Sequence, residues 1–132
     1  MNPAYSIKPA ALHTRKAPKP QGYLFWDTLR FLRMGKFDPT TRLERDRFIM
    51  ARWYRSGPAC VEVRAQHACF EASAWGPGAE EALESVDALL GLHDKPLTDF
   101  GDAQLNRRLR PVLNLRLVRA PSLAHVLVNV VM

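Results

Sequence analysis

Cysteine is scarce: Cys60 and Cys69 are the only two in 132 residues. Two thiols cannot staple a disulfide scaffold, and their spacing fits no zinc site, so free thiols in a cytoplasmic protein are expected. They could meet only as opposite positions on a hairpin. Long apolar runs are missing as well. No stretch could cross a membrane as a helix, and residues 1–20 lack the apolar centre of a secretion signal. There is no glycine-rich phosphate loop, no G-x-S-x-G elbow and no His/Cys cluster at metal spacing, so the expectation is no cofactor and no metal. The histidines at 13, 67, 93 and 125 are scattered and read as surface or partly packed residues rather than bases.

Acidic residues are in deficit, 13 against 19 Lys and Arg, which leaves a net charge of +6. That balance permits contact with phosphate backbones without demanding it. The cations fall in three groups: Lys8, Arg15, Lys16 and Lys19 near the start, Arg42, Arg45, Arg47, Arg52 and Arg55 in the middle, and Arg107, Arg108, Arg110, Arg116 and Arg119 towards the end. Each group would serve equally as a solvated face. One domain is expected at this length, and 47% hydrophobic residues suffice for a core.

The best-specified stretch is Arg55 to Leu92. Val61 and Val63 alternate with Glu62 and Arg64, and Phe70, Ala72 and Ala74 alternate with Glu71 and Ser73, the period of half-buried strands. A short link at Gln66-His67 pairs them as a hairpin. Gly76-Pro77-Gly78 then ends the second strand, and Leu83, Val86, Leu89 and Leu90 follow at helical spacing. Glu80 and Glu81 suit the helix N-terminus, and Gly91 suits a left-handed cap. Upstream, residues 42–55 read as a third strand with a bend at Arg45-Asp46, and Leu12 to Lys16 as a possible edge strand. Asp27 is expected to cap a short helix with Leu29 and Leu32 facing inward and Phe25 behind them, ending near Gly35. Phe37-Asp38-Pro39-Thr40 is a turn. Downstream, Asp102 should cap a helix through Leu105 and Leu109 that closes at Pro111. Asp99 and Asp102 could form an acid/base pair around Phe100, but a loop followed by an N-cap accounts for both. From Pro121 a helix with Leu123, Val126, Leu127 and Val130 on one stripe, widened by Val128 and Val131, is apolar nearly all round, as helices inside a larger body are.

The pieces FWDTLRFLRMGKFDPT, GPACVEVRA, FEASAWGPGAEEALE, ALLGL and LNLRLVRAPSLAHVL, in that order from about Gly22 onward, resemble the N-terminal part of bacterial DNA-3-methyladenine glycosylase II, of the helix-hairpin-helix DNA glycosylase superfamily. The resemblance implies an α+β fold: an antiparallel sheet of three to five strands with two or more helices packed on one face, like the TATA-binding protein. It also implies a sheet domain over 21–119 and the truncated first helix of a helix-hairpin-helix domain over 120–132; residues 1–20 lie outside the match, and Pro3, Pro9, Pro18 and Pro20 among alanines and lysines read as a flexible basic arm. Such glycosylases flip a damaged base out of the duplex into an aromatic pocket. The gripping hairpin, the wedge and the catalytic aspartate lie beyond the matched part, so no catalytic residue is expected here. Phe31 stands where the family's first helix lends an aromatic to the base pocket, although a plain core role suits it equally. Arg107, Arg108 and Arg110 are the candidate DNA contacts.

Two functions follow as expectations. In the first, the chain is the sheet domain of a repair glycosylase for alkylated bases, inactive alone, with damaged duplex DNA as the partner of the parent enzyme. In the second, it is a small interaction module that binds protein or self-associates through the C-terminal helix and binds nucleic acid weakly through its arginines.

Overall fold

The computed structural model describes residues 12–96, 98–119 and 127. Five antiparallel strands form one sheet: β1 (His13–Pro18), β2 (Thr41–Leu43), β3 (Arg47–Tyr54), β4 (Gly57–Ala65) and β5 (Cys69–Trp75), in the order β1-β5-β4-β3-β2. Strands β2 to β5 form a meander, and β1 crosses over to lie beside β5. The predicted α+β class and the predicted helix-on-sheet layering are therefore those of the molecule. Strand β1, in the part of the chain assigned to the arm, is an integral sheet member.

The stretch read as one strand over 42–55 is two. The Glu44 N–H donates to the Arg47 carbonyl at 2.8 Å, and the chain reverses at Arg45-Asp46. The expected bend there is a full hairpin. Its residues include neither Gly nor Asn-Gly, the usual marks of a tight turn, and so carry no strong turn signal.

Register places alternate residues on one face. Val61 lies opposite Ala74 and Met50, and Val63 opposite Ala72 and Phe48. All six are buried, and the helices cover them. Helix α1 (Phe25–Leu29) runs into a 3₁₀ turn over Arg30–Leu32, and α2 (Ala79–Glu84) runs into α3 (Val86–Leu89). Ser85 separates the last two, where a single helix over 79–90 was expected. Its hydroxyl donates to the Ala82 carbonyl at 2.7 Å, the local competition by which serine bends helices. Asp27 is not the cap of α1. Leu24 holds that position without a side-chain bond, and Asp27 lies inside the first turn, because Phe25 is drawn into the helix and onto the Phe70 ring, centroids 6.2 Å apart. Tyr23 meets Phe70 edge-on at 4.8 Å and donates its hydroxyl to the Leu90 carbonyl at 2.7 Å. Burial pushes that phenol well above its ordinary 10.0, so it remains a donor.

Gly91 does cap α3, at φ +65. The Leu92 N–H reaches the Asp87 carbonyl at 2.9 Å and the Gly91 N–H reaches Ala88 at 3.2 Å, the two bonds of a Schellman motif. On the edge strand, Arg15 pairs with Asp87 at 2.6 Å and donates to the Leu83 carbonyl at 3.0 Å. The strand is thereby fastened to both helices above it.

On the opposite face, Arg47 and Arg64 lie directly across from one another, an unfavourable cross-strand pair of like charges. Glu62 accepts from both guanidinium groups, from Arg47 at 2.6 Å. Burial would raise the Glu62 carboxyl, but the bonds and charges of Arg64 and Arg47 outweigh it and hold the group below its ordinary 4.5. A carboxylate lowered on folding stabilises the fold above its unfolded value, and that contribution drains as pH falls through the lowered folded value. Urea melts should thus be insensitive to Glu62 protonation above pH 4.5 and show a loss below it. Glu62→Gln should cost about 1 kcal/mol at neutral pH and flatten the acid limb of the profile. An unchanged acid limb in the variant would remove Glu62 as the cause.

The helix expected from Pro121 lies outside the described residues, apart from Leu127, which is helical and exposed.

Candidate nucleic-acid interface

Each residue singled out for DNA contact has a definite place. Phe31 lies in the 3₁₀ turn after α1, where the helical register carries Phe25, Leu29 and Leu32 into the core and turns Phe31 out. It is 55% exposed, so it is no plain core residue. The Arg30 guanidinium stands 5.2 Å from its ring centroid, a cation–π contact.

Arg107, Arg108 and Arg110 sit at the end of helix α4 (Ala103–Leu109) and the 3₁₀ turn that follows it over Arg110–Val112, and all three are exposed. The helix is capped as predicted: the Asp102 carboxylate accepts from the Leu105 N–H at 2.7 Å. Cations at a helix C-terminus also complement its dipole, which favours Arg107 and Arg108 there whatever they bind. No residue of α4 is buried. Among the described residues, no hydrogen bond, ion pair or ring contact joins Phe31 to these three arginines.

Asp99 and Asp102 are both occupied by local structure. Asp99 accepts from the Asn106 amide at 2.7 Å and the Gly101 N–H at 2.9 Å. Those bonds hold its carboxyl below its ordinary 3.8, the Asn106 bond most of all. Both carboxylates are thus engaged in the bonds of a loop followed by an N-cap.

The segment after α4 ties this region to the core. Arg119 donates its N–H to the Ala88 carbonyl at 3.0 Å, and the Arg116 guanidinium donates to the Asp94 carbonyl at 2.8 Å. Behind it, Pro96, Phe100, Leu109, Val112, Leu115 and Leu117 line an apolar groove. Sequence periodicity gave no sign of this packing, because residues 113–119 form neither helix nor strand.

Cys60 and Cys69 do not face each other. Cys60 pairs with Trp75 and Cys69 with Pro18, so about six residues of strand, roughly 20 Å, separate them, far beyond the reach of a disulfide. Both are free. Burial, with Glu62 nearby, pushes the Cys60 thiol above its ordinary 9.0, the reverse of what a nucleophile needs. Among the described residues there is no cluster of His, Cys, Asp or Glu that could hold a metal ion, and no helix long and apolar enough to cross a membrane.

No family model, no curated protein and no solved structure matches this chain.

Proposed function

We propose that this chain is the non-catalytic sheet domain of a base-excision DNA glycosylase acting on alkylated bases, inactive alone and supplying backbone contacts and one pocket aromatic to the parent enzyme. The observation that carries this reading is Phe31. A short helix locked into the core by Phe25, Leu29 and Leu32 holds the Phe31 ring out in solvent, with the exposed Trp26 on the same segment, which is the presentation a base-stacking side chain requires. The three exposed arginines of the α4 region supply charge for phosphate contact, and the local bonding of Asp99 and Asp102 leaves the departure of the base to a carboxylate elsewhere in the parent.

The purified chain, incubated with methylated duplex DNA, should release no methyladenine. It should bind the duplex weakly, with log affinity falling linearly in log salt. Replacing Arg107, Arg108 and Arg110 by glutamine should shallow that slope by about 0.9 for each phosphate no longer neutralised and lower the thermal midpoint only slightly, since all three are exposed and only the helix-dipole contribution of Arg107 and Arg108 is lost. Base release by the chain alone, or an unchanged salt slope in the triple variant, would overturn the assignment.

A further inference from the structure

The sheet face turned away from the helices carries no helix among the described residues, and its two halves differ in chemistry. At one end lie Ala51 and Trp53 of β3, Pro58 and Cys60 of β4, and Trp75 of β5. Trp53 is opposite Pro58, and Cys60 is opposite both Ala51 and Trp75. Trp53 is 76% exposed and Trp75 36%, and Ala51, Pro58, Cys60 and Pro77 line a shallow apolar groove beside Trp75. The other half carries Lys16, Arg42, Arg47 and Arg64 among Glu44, Glu62 and Glu71, with Arg42 paired to Glu44 at 2.7 Å and Arg47 and Arg64 paired to Glu62. The two indoles are two strands apart and one same-face step along, about 12 Å by strand geometry.

We propose that this face binds single-stranded nucleic acid, with Trp53 and Trp75 stacking on unpaired bases and Lys16, Arg42, Arg47 and Arg64 meeting the phosphates. A flat indole on a rigid strand presents its ring to any base, because every base has a π-face, and cations along the same face follow the backbone. A spacing near 12 Å leaves room for two unstacked, splayed bases of one strand to lie on the two rings at once. The net charge of +6 draws a polyanion to the molecule. A protein partner fits less well. A standard interface buries about 800 Å² on each side, and on this face it would strip water from the Arg47–Glu62–Arg64 network, a costly step without new partners. A single strand leaves those groups at the solvent boundary. The site shares no residue with Phe31 or the α4 arginines and stands independently of the glycosylase reading.

The test is a titration of the full chain with a thymidine oligonucleotide at low salt, followed by indole fluorescence and, independently, by anisotropy of a labelled strand. The oligonucleotide should quench the emission, with Trp26 as the unquenched remainder. Trp53→Ala and Trp75→Ala should each weaken binding about ten-fold or more, Trp53→Phe should retain most of it, and the Arg107/Arg108/Arg110 glutamine variant, which lowers only the general attraction of the net charge, should weaken it far less than either alanine variant. Trp53 is so exposed that its variants will fold, so they carry the test even where Trp75→Ala is unstable. Absence of quenching at low salt, or undiminished binding by Trp53→Ala, overturns the proposal. So does self-association without nucleic acid that Trp53→Ala abolishes, which would make the face a protein interface instead. Loss of duplex binding in the arginine variant, with single-strand binding intact, would bear on the glycosylase reading alone.

Discussion

Gly76→Ala should be the most damaging small substitution in the sheet domain, at a cost on the order of 3 kcal/mol and a fall in thermal midpoint of roughly 10 °C. Two effects act at that position. Gly76 has φ +107, and a Cβ there would stand 2.5 Å from the Pro58 carbonyl oxygen. The corner after β5 is packed against the start of β4, backbone on backbone, so nothing can give way as a flexible side chain would. Two other glycines separate the two effects. Gly35 has φ +103 with nothing within 4 Å of a Cβ, so Gly35→Ala reports the backbone conformation alone, about 1 kcal/mol. Gly78 has an ordinary φ of −90, but its Cβ would meet the Gly57 carbonyl oxygen and the Tyr54 side chain, so Gly78→Ala reports close approach alone. Chemical denaturation of the three variants should rank Gly76 worst and Gly35 mildest. A Gly35 variant as unstable as the Gly76 variant would show that backbone conformation, not close approach, sets the cost.

Phe70→Ala should cost about 3–5 kcal/mol. The ring is wholly buried on β5, stacked on Phe25 and met edge-on by Tyr23. Its loss would leave a cavity bounded by a sheet strand on one side and α1 on the other. Neither boundary can collapse without breaking the strand pairing or the Tyr23 bond to Leu90. Phe31→Ala removes a ring of the same size from a solvent-facing position and should change stability by less than about 0.5 kcal/mol. The contrast between the two phenylalanines, read by urea melts, checks the placement of both. It also makes Phe31→Ala a clean probe of the proposed DNA contact, since any change in binding cannot then come from unfolding. A large loss of stability in Phe31→Ala would return that residue to the core.

The strands β4 and β5, the helical region over 79–90, the Gly91 cap and the Asp102 cap were legible because each rests on a local signal: period two, period 3.6, or one residue type suited to one backbone position. The β2–β3 reversal reads in the sequence only as a bend at Arg45-Asp46, because Leu43-Glu44-Arg45-Asp46 has no glycine or Asn-Gly to mark a tight hairpin. Phe31 was ambiguous for a different reason. In a helix of five residues followed by a 3₁₀ turn, inward and outward positions lie too close together for periodicity to separate, and packing against Phe70 decides. The two tryptophans of the open face were invisible as a pair. Trp53 lies 22 residues before Trp75 in the chain, and only the register of β3 and β5 on β4 sets them on one face. Register is a tertiary property that no single strand encodes.

The crossover of β1 governs the order of events when the molecule assembles. Strands β2 to β5 join through turns a few residues long, so their pairings can zip up from neighbour to neighbour. Strand β1 finds β5 only after closing a loop of about fifty residues, from Pro18 to Cys69, and the entropy of that closure must be met before any of its contacts forms. It has one strand neighbour instead of two, and its strongest side-chain tie is the partly solvated Arg15–Asp87 pair. Strand β1 should therefore join the sheet after the meander has formed, and its amides should exchange with solvent through local opening while those of β4, held on both sides, wait for the whole domain to unfold.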